Sequence, residues 1–151
     1  MCDAMERVNI MWNGPYSIDS ATARFKSYED FGVYMITRLW GENSETLLYI
    51  GSVYGRDYWR CFADRLAEHK SWLNERRGQI QARIGKIRLR GNKRASYKRT
   101  KDVESLLIYV YQPLENWKST STYHGRELEI VNLGRKGPLK LEVCSCVPML
   151  K

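Results

Sequence analysis

The chain has 151 residues, 43% apolar and 28% charged, the balance of an ordinary globular domain with a core to bury. Its net charge of +8 favours a polyanionic partner. No apolar run reaches the roughly 18 residues a membrane span needs, and residues 1–9 carry acids and no apolar h-region, so the expectation is one cytoplasmic domain over residues 1–151. Cys2, Cys61, Cys144 and Cys146 lack the CxxC spacing and neighbouring histidines of a zinc site and read as reduced thiols.

Val8 to Trp12 reads as a short strand ended by a turn at Asn13-Gly14-Pro15, and Ser17 or Asp19 then caps a short helix to about Phe25. Phe31 to Trp40 and Thr46 to Val53 are rich enough in β-branched and aromatic residues to be strands, and residues 41–45 between them are turn material, so an antiparallel hairpin is expected. Arg56 to about Asn74 has helical periodicity, with Tyr58, Phe62, Leu66 and Leu73 on one side. Ile84 to Arg90 alternates like a half-buried strand, and Asp102 to Tyr111 reads as a helix stopped before Pro113. Glu127 to Leu133 and Leu139 to Val147 suggest a C-terminal hairpin. The order implies an α+β fold on a small antiparallel sheet.

Polar residues on apolar faces carry the chemistry. Steps of about 100° per residue put Arg65 and His69 on the Phe62 side of their helix, whereas Arg60 falls on the solvent side. Glu104 shares a face with Leu107, Ile108 and Tyr111. Buried charge is costly unless paired, so an Arg, a His and a Glu facing the core together suit a phosphate and a metal ion. From Arg76 to Lys101, eleven of 26 residues are basic and none is acidic. Arg76, Arg77, Arg83, Lys86, Arg88, Arg90, Lys93, Arg94, Lys98, Arg99 and Lys101 are thus the candidate nucleic-acid-binding residues.

Gly32-Val33-Tyr34 on the first hairpin strand and Tyr49-Ile50-Gly51 on the second resemble the signature of the GIY-YIG nuclease superfamily. Arg65 followed four residues later by His69 resembles the family's helix motif, and Glu104 with Asn116 twelve residues on resembles its acidic motif. The resemblance covers about Phe31 to Asn116 and is nearest the restriction-endonuclease branch. It implies a three-stranded antiparallel sheet flanked by helices, to which this chain adds its C-terminal hairpin. The implied activity is endonucleolytic hydrolysis of DNA phosphodiester bonds with one Mg²⁺ or Mn²⁺ ion. The site would comprise Tyr34, Tyr49, Arg65, His69, Glu104 and Asn116, with Glu104 as metal ligand. Arg65 would grip the phosphate, and Tyr34 or Tyr49 would position or deprotonate the water. A double-strand cutter of this size would act as a homodimer or nick twice. The alternative is a non-catalytic nucleic-acid-binding module with the same fold.

Overall fold

The computed structural model describes residues 5–41, 44–55, 60–73, 77–118 and 120–145. Strand β1 (Glu6–Ser17) leads into helix α1 (Ile18–Arg24), whose cap is Ser17: its hydroxyl oxygen accepts the Ser20 N–H at 3.1 Å. Strands β2 (Phe31–Trp40) and β3 (Ser44–Tyr54) form the expected hairpin. Helices α2 (Phe62–Glu68) and α3 (Lys70–Leu73) follow, with a break at His69, then strand β4 (Gln79–Leu89), helix α4 (Tyr97–Tyr111), and strands β5 (Leu128–Gly134) and β6 (Glu142–Cys144).

The six strands make one sheet in the order β3-β2-β4-β1-β5-β6, curled into a half-barrel. This corrects the expectation of a small three-stranded antiparallel sheet with a separate C-terminal hairpin. Two local features cause the difference. Residues Asn13 to Pro15 do not end β1; the strand bulges between Asn13 and Tyr16 and continues to Ser17. β5 lies parallel to β1, from Glu6 opposite Leu128 to Trp12 opposite Gly134, and β6 pairs with β5. Strands so far apart in sequence leave no local signature of their pairing.

β2 is buried at every position from Gly32 to Thr37, because helices cover both faces of the sheet there. Its alternation sends Tyr34 and Ile36 to a cluster with Phe62, Leu66 and Leu73 of α2 and α3, and Val33 and Met35 to one with Val103, Leu106 and Leu107 of α4. Helix α4 starts earlier than its apolar pattern suggests, because Ser96 caps it by accepting the Arg99 N–H at 3.1 Å. It ends at Gln112, which takes a left-handed conformation before Pro113. The chain beyond then pairs with the outer edge of β3, where the Glu115 N–H donates to the Leu48 carbonyl at 2.8 Å.

A buried ion pair fastens the tip of the hairpin. Arg83 on β4 donates to both Glu45 oxygens, at 2.9 and 3.1 Å, and to the Arg135 carbonyl at 3.0 Å. Glu45 also accepts from Thr37 at 2.7 Å and from Gln81 at 3.2 Å. Burial works against the Glu45 charge, but these donors outweigh it and hold the carboxyl below its usual range. The network therefore contributes stability above the unfolded carboxylate pKa of about 4.3 and loses it as pH falls through the folded value. Glu45→Ala leaves the Arg83 guanidinium buried without its partner. It is expected to cost about 3 kcal/mol in urea unfolding at pH 7, and less as pH falls through the lowered Glu45 value, where the wild type loses the pair.

Candidate functional site

Three elements bring four polar side chains together on one side of the sheet. Tyr34 projects from β2 with its ring fully buried. It stacks against Tyr49 of β3 with centroids 6.1 Å apart and meets Phe62 edge-on at 6.3 Å. The strand register places Gly51 opposite Tyr34, and a Cβ at Gly51 would collide with the Tyr34 ring carbon and hydroxyl. The glycine of the second triplet is thus required by the tyrosine of the first.

Arg65 and His69 are one helical turn apart and face the phenols. The Tyr34 hydroxyl lies 2.8 Å from His69 Nε2, and the Tyr49 ring centroid is 4.3 Å from the imidazole. The Arg65 charge acts on the Tyr34 hydroxyl, and Arg65 Nη1 donates to Glu68 Oε1 at 2.6 Å. Arg60 is exposed and reaches the same Glu68 at 3.2 Å; it plays no part in the Tyr34 environment described. Trp72 donates its indole N–H to His69 Nδ1 at 3.0 Å.

Burial and the Arg65 cation hold His69 down to about 4, so the imidazole is neutral at pH 7. Burial raises both phenols above their ordinary value, Tyr34 the more, and Arg65 works in the opposite direction on each. For Arg65 itself, burial opposes the charge, but Tyr34, Glu68, Tyr49 and Glu104 around it prevail and raise its pKa.

Glu104 approaches from the α4 side. Its Oε1 accepts from Ser52 Oγ at 2.7 Å and from the Lys101 ammonium at 2.8 Å. Ser52 follows Gly51, where no side chain intervenes, and the Glu104 charge is felt by Tyr34, Tyr49 and Arg65. Asn116 touches none of these groups. Its amide clamps the backbone between Tyr49 and Gly51, accepting the Ile50 N–H at 2.9 Å and donating to the Ile50 carbonyl at 3.0 Å.

The basic stretch divides. Arg77, Lys86, Arg88, Arg90, Lys93, Arg94 and Lys98 are exposed. Strand alternation puts Lys86 and Arg88 on the same face of β4 as Ala82 and Ile84, which pack with Tyr34. Arg94 lies over the rings of Phe31 and Tyr54, at 4.3 and 5.4 Å. Three cations are engaged internally: Arg83 with Glu45, Arg99 with Glu6, and Lys101 with Glu104. Arg83 is corrected from a nucleic-acid contact to a buried structural cation. Arg76 lies outside the described residues, as do Cys2, Cys146 and Tyr58.

The sequence reading missed Ser52, Glu68 and Trp72. Trp72 stands three residues after His69, a helical neighbour's spacing, but a tryptophan on an apolar stripe reads as core. A cavity of about 480 Å³ lined by Ser17, Ile18, Asp19, Lys70, Leu73 and Ile80 shares no lining residue with the cluster. No helix among the described residues is long and apolar enough to cross a membrane.

Comparison with protein-family models, curated proteins and solved structures finds no match to this chain.

Gly51→Ala is expected to force the Tyr34 ring off Gly51, costing about 2 kcal/mol of stability and uncoupling Tyr34 from His69; urea unfolding and the His69 imidazole resonances report the two effects. Because the folded His69 pKa is depressed, His69 contributes stability that is present above its unfolded value of about 6.5 and lost as pH falls through about 4. The stability difference between wild type and His69→Gln should therefore shrink from pH 7 to pH 4 in parallel urea titrations.

Proposed function

We propose that the chain is a divalent-metal-dependent endodeoxyribonuclease of GIY-YIG type, hydrolysing DNA phosphodiester bonds. The observation that carries this reading is the Tyr34–His69 hydrogen bond with Tyr49 stacked upon it and the Arg65 and Glu104 charges acting on both phenols. Such a constellation is expensive to build for stability alone, since it places a guanidinium and three other polar groups beside an apolar core.

Hydrolysis needs a water held in line, charge on the developing phosphorane, and help for the departing oxygen. Arg65, raised in pKa and held by Glu68, keeps its charge under all working conditions and would grip a non-bridging phosphate oxygen. The phenol pair would hold and deprotonate the water, against the cost that burial adds to phenol ionisation. Asn116 would act by fixing the Tyr49-Ile50-Gly51 backbone through both of its hydrogen bonds to Ile50.

Glu104 offers a hard oxygen donor, and its partners Ser52 and Lys101 both sit on Oε1, so its chemistry fits a hard cation completed by water and phosphate. A Mg²⁺ or Mn²⁺ ion held there would supply positive charge to the phosphate and the leaving oxygen. The exposed Arg77, Lys86, Arg88, Arg90, Lys93, Arg94 and Lys98 would follow the DNA backbone. Cleavage of both strands would require a homodimer or two successive nicks, in the cytoplasm or wherever DNA lies.

One observation favours a second reading, a non-catalytic DNA-binding module: the Lys101 ammonium already neutralises the Glu104 carboxylate. Plasmid nicking separates the two. With Mg²⁺ or Mn²⁺ the wild type should nick, and Glu104→Ala and Arg65→Ala should each fall by about a hundredfold or more. Binding in gel shifts should survive both substitutions and weaken steeply with salt. Salt-sensitive binding with no nicking by wild type under either metal would leave only the binding module.

A further inference from the structure

We infer that Trp72 sets the direction of a hydrogen-bond chain running Trp72 to His69 to Tyr34, which makes His69 a donor to Tyr34 instead of the acceptor of its proton and leaves Tyr49, the outer ring of the stacked pair, as the phenol that meets the substrate. The inference deepens the nuclease reading and rests on it for the role of Tyr49; the direction of the chain stands on geometry alone.

An indole nitrogen can only donate. Trp72 Nε1 lies 3.0 Å from His69 Nδ1, so Nδ1 must present its lone pair. A neutral imidazole has one N–H, which is then on Nε2, 2.8 Å from the Tyr34 oxygen. Nε2 therefore donates and the phenol oxygen accepts. The Arg65 cation beside the same oxygen favours negative charge there. Tyr34 therefore does not give its proton to His69, and the ring stacked upon it, 6.1 Å away, is Tyr49. Tyr49 is the outer ring of the stacked pair. The burial pattern agrees: Tyr34 is fully enclosed, whereas Tyr49 is half-buried at the rim.

The chain also explains why His69 stays neutral. A second proton would have to enter at Nδ1, against the Trp72 N–H, beside Arg65 and in a buried site. His69 consequently has no free lone pair toward Tyr34 and cannot relay a proton from it. Tyr49 releases its proton to solvent against the rise that burial causes, and its phenolate oxygen then takes a proton from the attacking water as the water O–H breaks and the phenol O–H reforms. Tyr49 is the catalytic residue in this scheme, and Trp72, His69 and Tyr34 are positioning residues.

Nitrogen-15 correlation spectra of the imidazoles test the direction without any cleavage. The chain has two histidines, and His124 is exposed and serves as the internal reference. His69 should show a protonated Nε2 and a bare Nδ1 from pH 8 to pH 5. In Trp72→Phe, which keeps an aromatic ring and removes the N–H, both tautomers should appear, and the acid limb of the nicking pH profile should move upward. The kcat should fall about tenfold with KM little changed. Tyr49→Phe should abolish nicking, and Tyr34→Phe should leave a measurable residue. A proton on Nδ1 of wild-type His69 overturns the inference even if no variant folds. So does a Trp72→Phe protein with the wild-type tautomer and pH profile. An Nε2–H tautomer in a wild type that does not nick sustains the chain's direction and overturns the nuclease reading alone.

Discussion

A tyrosine hydroxyl buried beneath two helices must find partners or it destabilises the fold, and most of the candidate site follows from meeting that requirement at Tyr34. The ring is fully enclosed between β3 and α2, so water cannot supply the hydrogen bonds. His69 supplies a hydrogen bond from its helical segment, and the Arg65 cation four residues earlier acts on the same hydroxyl. Gly51 must then be a glycine, because the ring lies across its backbone. Trp72 in turn satisfies the outer nitrogen of His69. Each of these residues answers a need created by the one before it.

The sheet determines which groups can meet. Helices on both faces of β2 separate the tyrosine side from the α4 side, and Glu104 belongs to the second. Its charge is felt by the phenols, and its Oε1 accepts from Ser52, the residue after Gly51 on β3. That edge is held by the chain after α4, through Glu115 on the Leu48 carbonyl and Asn116 on both backbone groups of Ile50. An edge strand left open would be free to shift, and a shift of one residue would send Tyr49 to the opposite face. Asn116 therefore acts on the site through register, from a position where its amide meets backbone alone.

What the sequence made legible was local. The β2–β3 hairpin declared itself because its strands are runs of apolar and β-branched residues around a polar turn, and the 3.6-residue period put Arg65 and His69 on the apolar side. The larger sheet was hidden because β1 and β5 are joined by pairing across more than half the chain, and because Asn13-Gly14-Pro15 has the composition of a turn while serving as a bulge. Helix α4 was read short since its first turn carries Lys98, Arg99 and Lys101, which look like solvated loop. Trp72 was hidden by chemistry of another kind: only its indole N–H matters here, and an aromatic on a helix face gives no sign of where that hydrogen points.

Charge shows why composition alone could not settle the interface. The stretch from 76 to 101 is uniformly basic in sequence, but its acids are supplied from elsewhere: Glu45 from the hairpin tip for Arg83, Glu6 from β1 for Arg99 and Glu104 from α4 itself for Lys101. Those pairs remove the cations nearest the core and leave outward ones. The outward set includes Lys86 and Arg88, which continue the face of β4 that packs with Tyr34 beyond the cover of the helices. The alternation of β4 thus sets these exposed cations on the same face of the sheet as the phenol pair.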